Sequence, residues 1–151
     1  MKIKSYHIYL IITIFITLFI FSNSAQTADS SSGQSGRLLS FLCWLFNADT
    51  PEEIGLSQHI IRKLAHMAEF AAQGFFFSLF FLKRDKKFSA FFVNVLFFGL
   101  LSACTDEAIQ MFFDGRSGEI RDVFIDFSGT MLGLLASVMF CKLLKKLRPA
   151  K

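Results

Sequence analysis

The sequence has one Trp and two Tyr against 21 Phe in 151 residues. It has only three cysteines, Cys43, Cys104 and Cys141, widely separated and each inside an apolar stretch. No CxxC and no Cys/His ligand spacing connects them, so they read as small apolar groups rather than as a zinc site or redox pair. No segment repeats at a fixed period, no stretch has the composition of a separate soluble domain, and the length allows one domain. No GxSxG elbow surrounds Ser102 or Ser117, which removes the best-marked signal for a serine nucleophile. Acidic residues are also missing where basic ones are dense. Asp85 alone accompanies Lys2, Lys4, Lys83, Arg84, Lys86, Lys87, Lys142, Lys145, Lys146, Arg148 and Lys151.

What is present is apolar bulk. The hydrophobic fraction is 53% and the aromatic fraction 16%. A soluble domain is nearer ~45–50% apolar and would have to hide most of those rings in one core, whereas lipid solvates them from outside. The net charge of +4 would suggest nucleic acid in a soluble protein. Here the basic residues flank apolar runs, which is a topology signal and makes nucleic acid a poor partner.

A bilayer core needs roughly 20 apolar helical residues. Four segments approach that length: residues 6–22, 59–82, 88–113 and 120–141. The expected fold is an all-helical integral membrane bundle of four transmembrane helices, with residues 1–151 as a single domain. The clustering of Lys and Arg predicts both termini and the loop between the second and third spans on the cytoplasmic side of the membrane. The first span has a rival reading. The apolar run 8–21 followed by Ser22-Asn23-Ser24-Ala25 also has features of a signal peptide, although a retained span fits better.

Residues 23–58 form the predicted first outer loop. The part up to Gly36, rich in Ser, Gly, Gln and Asn, reads as loop with no reason to fold alone. Residues 37–47 then form an apolar block too short to span, expected as a short interfacial helix with Trp44 at headgroup level. Thr50-Pro51-Glu52-Glu53 resembles a helix start, with Thr50 as cap, Pro51 in the first helical position and Glu53 completing a capping box.

Polar residues inside the spans fall on defined faces. On the second span Arg62, His66, Glu69 and Gln73 share a narrow face, with Lys63 beside it. On the third, Ser102, Asp106 and Gln110 share a face with Glu107 adjacent. On the fourth, Asp122, Asp126, Gly129, Gly133 and Ala136 share a face, and Gly129-x-x-x-Gly133 permits close helix approach. At 1.5 Å per residue, His66 and Glu69 lie roughly 10–15 Å, Asp106 roughly 10 Å and Asp126 roughly 9 Å in from the outer ends of their helices. A lone charge at the bilayer centre costs at least ~2.5–3.5 kcal/mol, so these groups should face one another or a water-filled cavity. The connection Asp114-Gly115-Arg116-Ser117-Gly118-Glu119 is expected to turn tightly and hold Arg116 over the cluster, with Arg121 one turn below.

These motifs resemble the VanZ-like family of bacterial membrane proteins over nearly the whole chain. The most specific stretches are Arg62-Lys63-Leu64-Ala65-His66-Met67-Ala68-Glu69-Phe70 and the run 106–123, which opens Asp106-Glu107-Ala108-Ile109-Gln110 and closes Glu119-Ile120-Arg121-Asp122-Val123. Asp126-Phe127-Ser128-Gly129-Thr130-Met131-Leu132-Gly133 continues the pattern. The Ser/Gln-rich stretch 30–36 matches the family more loosely. This sequence departs where Ile109 stands in place of a frequent His and Asp114 in place of a frequent Pro, so a mechanism needing two histidines fails. The family is named for an accessory protein of teicoplanin resistance. The resemblance therefore implies a setting in the cell envelope and a link to glycopeptide resistance.

Three function classes are open on the residues. The preferred one is binding of an anionic lipid or lipid-linked envelope precursor in an outward-facing polar pocket lined by Arg62, Lys63, His66, Glu69, Asp106, Glu107, Gln110, Arg116, Arg121, Asp122 and Asp126, since Arg forks suit phosphate and carboxylate oxygens. The second is a membrane-embedded enzyme acting on a lipid or lipid-linked substrate, with His66 as general base oriented by Glu69 or Asp106. The third is a proton- or ion-coupled transporter. The bland reading of the same charges is a structural ion network. No cofactor is expected. Nor is a metal, because one His is central and the arginines would compete for the carboxylates. A homodimer would help to seal a polar pocket that four helices leave open.

Overall fold

Each of the four apolar runs is long enough to satisfy its own backbone hydrogen bonds only as a helix, the one open-chain structure that lipid tolerates. The computed structural model describes residues 5–85 and 87–147. Lys2, Lys4, Lys86, Arg148 and Lys151, used above for orientation, lie outside the described residues. Among the described residues there are five α-helices and no strand: α1 (Ser5–Ser24), α2 (Ala28–Phe46), α3 (Gln58–Arg84), α4 (Phe88–Gln110) and α5 (Ile120–Leu147). Helices α1, α3, α4 and α5 are long and apolar enough to cross a membrane. Their exposed side chains include Phe15, Leu18, Phe19, Val93, Phe97, Leu135 and Met139, an apolar exterior that suits lipid contact.

The helices alternate in direction and divide the molecule into two ends. At one end Tyr6, Tyr9 and Leu10 of α1 pack on Phe80 and Phe81 of α3 and on Phe91 and Val95 of α4. The basic residues Lys83, Arg84 and Lys87 sit at this end, and Lys142, Lys145 and Lys146 close α5. At the other end Ile20, Phe70 and Ala103 form a smaller cluster with Ile16, Phe21 and Val123, directly beneath the polar residues. Between the ends, Gln73 of α3 donates to Thr17 Oγ1 of α1 (2.8 Å) and to Ser102 Oγ of α4 (2.9 Å), tying three helices together through one amide.

The most extensive helix contact is α3 with α5. The glycine seam predicted on α5 faces α3 there. A Cβ added at Gly129 would lie 2.3 Å from the Met67 carbonyl oxygen, and one at Gly133 would lie 2.0 Å from that of Ala71. Gly74 of α3 answers from the other side, where a Cβ would lie 2.5 Å from the Thr130 carbonyl oxygen. The short turn before α5 thus leaves its closest backbone approach with α3 rather than with α4. The seam also drifts: Thr130 and Ser137 are buried, whereas Ala136 is exposed.

The first connecting segment departs most from the sequence reading. The helix is not confined to residues 37–47 but begins at Ala28, inside the stretch read as loop. Thr27 caps it, Asp29 sits in its first turn, and Ser31, Ser35 and Leu39 form a buried i, i+4 stripe. Composition suggested a loop, but the spacing of those three residues gives the helix a face to bury. Its far end leaves Phe41, Trp44, Leu45 and Phe46 exposed, as an interfacial helix would. The capping box is displaced too. Glu53 Oε2 accepts from Asp49 N–H (3.0 Å) within a short 3-10 turn, Pro51–Ile54, and the cap of α3 is Ser57, which accepts from Ile60 N–H.

Three outcomes are expected. Gly133→Leu lowers stability by about 1–3 kcal/mol or more, because a side chain must be forced against backbone. Gly33→Ala, with nothing near the added methyl, raises helix stability by roughly 0.5–1 kcal/mol; thermal unfolding of both variants in detergent measures the contrast. An N-terminal tag is retained on the mature protein, since cleavage after Ala25 would strip Thr17, Ile20, Asn23 and Ser24 from the bundle; intact mass of the membrane-extracted protein checks it.

Candidate functional site

The polar end is built from four pieces of chain. Helix α3 begins there and carries Arg62, Lys63, His66 and Glu69 in its first turns. Helix α4 ends there with Asp106, Glu107 and Gln110. Helix α5 begins there with Asp122 and Asp126. The end of α1 and the start of α2 cover the group from the side.

The α4–α5 connection fixes the top. Gly115 has φ +74°, a conformation that suits glycine, and a Cβ there would lie 3.0 Å from Ala28 Cβ. Ala28 N–H in turn bonds the Asp114 carbonyl oxygen (3.1 Å), so the start of α2 is fastened to this turn. Arg116, half-buried, donates from Nη1 to Ser31 Oγ (3.1 Å). Its Nε and Nη2 are buried without a hydrogen-bond partner. Burial, and next the positive charge of Arg62, lower the Arg116 pKa from its ordinary value; Asp106, Glu107 and Asp122 act in the opposite direction. Glu107 Oε1 accepts from the Glu119 N–H and so ties the end of α4 to the start of α5.

Beneath Arg116 lies a cleft of about 90 Å³ lined by His59, Arg62, Lys63, His66, Arg116 and Asp126, among others. At ~30 Å³ per water this holds about three waters, or a group the size of a phosphoryl. Lys63 pairs with Asp122 across the α3–α5 seam. Asp126 is 2% exposed and makes no hydrogen bond among the described residues; His66 Nδ1 stands 3.9 Å from its Oδ1. Asp106, fully buried, accepts from Gln110 Nε2 at Oδ2 (2.9 Å), while its Oδ1 has no partner. His66 Nδ1 stands 3.7 Å from Asp106 Oδ2, beyond direct hydrogen-bond reach.

A second cavity of about 140 Å³ lies between α2 and α3 and shares Arg62 and His66 with the first. Glu69 opens onto this one, where it accepts from Asn23 Nδ2 (3.1 Å). No hydrogen bond or ion pair joins Glu69 to His66 among the described residues. Asp106 is the carboxylate on the imidazole's side, joined there by Asp126.

Of the residues singled out from sequence, the structure gathers Arg62, Lys63, His66, Gln110, Arg116, Asp122 and Asp126 around the cleft. Asp106 and Glu107 lie buried behind it and Glu69 on the α2 side. Arg121 stands apart: it is exposed and lines neither cavity, because the inward face of α5 belongs to its neighbours Asp122 and Asp126. Sequence reasoning missed His59, Glu119 and Ala28 as lining residues, and Asn23, Ser24 and Ser31 as partners. The signal for the last three was the Ser/Gln-rich stretch itself, polar residues with no charge of their own placed beside spans that carry buried carboxylates.

Comparison with curated proteins and with solved structures gives no match. The VanZ/LLP1 family pattern matches residues 6–142, a range that takes in all four spanning helices, α2 and every residue of the polar end. The motifs on α3, α4 and α5 that resemble this family in sequence are the ones that converge here, and the chain belongs to the VanZ/LLP1 family.

Proposed function

We propose that this protein binds the phosphoryl group of an anionic lipid or lipid-linked envelope precursor in the cleft beneath Arg116, in a bacterial cytoplasmic membrane with the cleft opening to the outer face. The observation that carries this reading is a pair of guanidinium groups on one cleft, neither in ion-pair range of a carboxylate among the described residues. Arg116 and Arg62 line that cleft, and the charge of Arg62 acts against that of Arg116. A phosphoryl oxygen would accept from the unpartnered Arg116 Nε and Nη2 and relieve that repulsion. A guanidinium has donors only, so no neutral hydrocarbon group can serve in its place.

The setting supports a lipid over a soluble anion. The cleft lies at the end of four apolar helices, and α2 lays its exposed Phe41, Trp44 and Phe46 on the outside of the same end. A ligand with acyl chains would keep those chains in the bilayer while its headgroup entered the cleft. The basic end, with Lys83, Arg84, Lys87, Lys142, Lys145 and Lys146, is the cytoplasmic one by the usual distribution of positive charge. A link to glycopeptide resistance follows from the same reading, as a consequence of handling an envelope precursor.

Binding of phosphatidylglycerol to the purified protein, measured by native mass spectrometry or in nanodiscs, is expected to fall about 10–100-fold in Arg116→Ala and in Arg62→Ala, the loss of a charged hydrogen bond of roughly 1.5–3 kcal/mol. Arg121→Ala stays near the parent value; equal loss in all three variants would indicate surface charge instead of a cleft. For orientation, in a cysteine-free background, Cys placed at Gly33 or Asp114 reacts with an impermeant thiol reagent on intact cells, and Cys at Lys87 does not.

A further inference from the structure

The cleft floor carries a second constellation that an anion does not use. His66 Nδ1, a carboxylate oxygen of Asp106 and one of Asp126 lie within 4.8 Å of one another, each from a different helix. We propose that these three side chains bind a divalent first-row metal ion of the zinc or manganese class, with a coordination position left open toward the cleft. The inference does not rest on the anion reading.

Three observations carry it. The first is spacing. His66 Nδ1 is 3.7 Å from Asp106 Oδ2 and 3.9 Å from Asp126 Oδ1, too far for direct hydrogen bonds. Ligands roughly 2.0–2.2 Å from a tetrahedral metal stand roughly 3.3–3.6 Å from each other, so His66 needs to draw in by a few tenths of an ångström and the two carboxylates by no more than about 1 Å to complete the site. The second is unmet demand. Asp126 is almost wholly buried, lines the cleft and has no hydrogen-bond donor, and Asp106 Oδ1 is buried with no partner. The sequence suggested that arginines would occupy these carboxylates. The structure puts no Arg or Lys within 4.0 Å of either among the described residues; Lys63 takes Asp122 and Arg116 takes Ser31. The positive field of Arg62 and Arg116 weakens a cation's binding, but two carboxylates in contact with the ion outweigh two guanidiniums outside its shell.

The third is support around the ligands. Gln110 donates to Asp106 Oδ2 and holds that carboxylate in place, as the outer shell of a metal site does. Asp126 is fixed in level by the α3–α5 seam, one turn below which Gly129 meets Met67, the residue after His66. One imidazole nitrogen with two carboxylates favours zinc or manganese over magnesium or calcium, which prefer oxygen alone. Three protein ligands with the fourth side open is the arrangement that admits water or a ligand oxygen. Here the open side faces the space beneath Arg116.

The test uses the full chain, purified in detergent and stripped with chelator, with no lipid or phosphate added. Co²⁺ titration followed by its visible absorption, with Zn²⁺ competition, is expected to give one ion per chain. Asp126→Asn and His66→Gln, which keep side-chain size, abolish the Co²⁺ band while thermal unfolding without metal stays cooperative. Gln110→Leu weakens binding about 10–100-fold, as loss of an outer-shell partner does. Absence of stoichiometric binding by the parent protein would overturn the proposal, as would a Co²⁺ band that survives unchanged in both ligand variants. Because no anion is present, either result is independent of what the phosphatidylglycerol measurements return.

Discussion

Close backbone contact between α3 and α5 sets the position of everything at the polar end. Gly129 and Gly133 let the α5 backbone rest against the Met67 and Ala71 carbonyls, and Gly74 returns the contact at Thr130. In lipid no hydrophobic force drives one apolar helix onto another, so packing of this kind and interhelical hydrogen bonds must hold the bundle. A slide of α5 by one residue would bring Ser128 and Leu132, or Thr130 and Leu134, against those carbonyls. The seam therefore fixes the level of Asp126 relative to His66 more tightly than any polar contact between them does.

Given that level, the remaining charges sort by neighbour. Lys63 and Asp122 face one another across the seam at the rim and neutralise each other. Glu107 Oε1 is taken up by the Glu119 N–H and Glu69 Oε1 by Asn23, each with its other oxygen buried and unpartnered among the described residues. A purely structural ion network would have paired the rest as well. Instead Arg116 keeps two unpartnered donors above, and Asp106 and Asp126 keep unpartnered oxygens below, with the cleft between. Buried polar groups are normally hydrogen-bonded, so unpartnered groups of both signs on and directly behind one cleft are what a site for a charged ligand presents.

Much of this was legible in the sequence because membrane helices obey two strong constraints. Length and hydropathy marked the four spans, and the cost of a charge in lipid placed His66, Asp106 and Asp126 on facing surfaces before any coordinates. What the sequence hid was helix pairing and the role of small uncharged residues. Nothing in the Gly129–Gly133 motif says which helix it meets. Ser31 and Ser35 read as loop because serine favours turns, although their i, i+4 spacing with Leu39 gave α2 a face. Arg121 was grouped with Arg116 by charge, whereas its angular position beside Asp122 turns it outward.

The two cavities share a wall. Arg62 and His66 line both, one space bounded by the α4–α5 turn and the other by α2 and the end of α1. A rotation that swings either side chain out of one space and into the other widens the first and narrows the second. Occupants of the two sides are then linked thermodynamically through those side chains, and the linkage is reciprocal: whatever one occupant does to the affinity of the other, it suffers in return to the same degree. Since Ser31 holds Arg116 on one side and lines the other cavity, α2 belongs to that exchange. The segment that looked least structured in the sequence thus forms part of the partition between the two compartments.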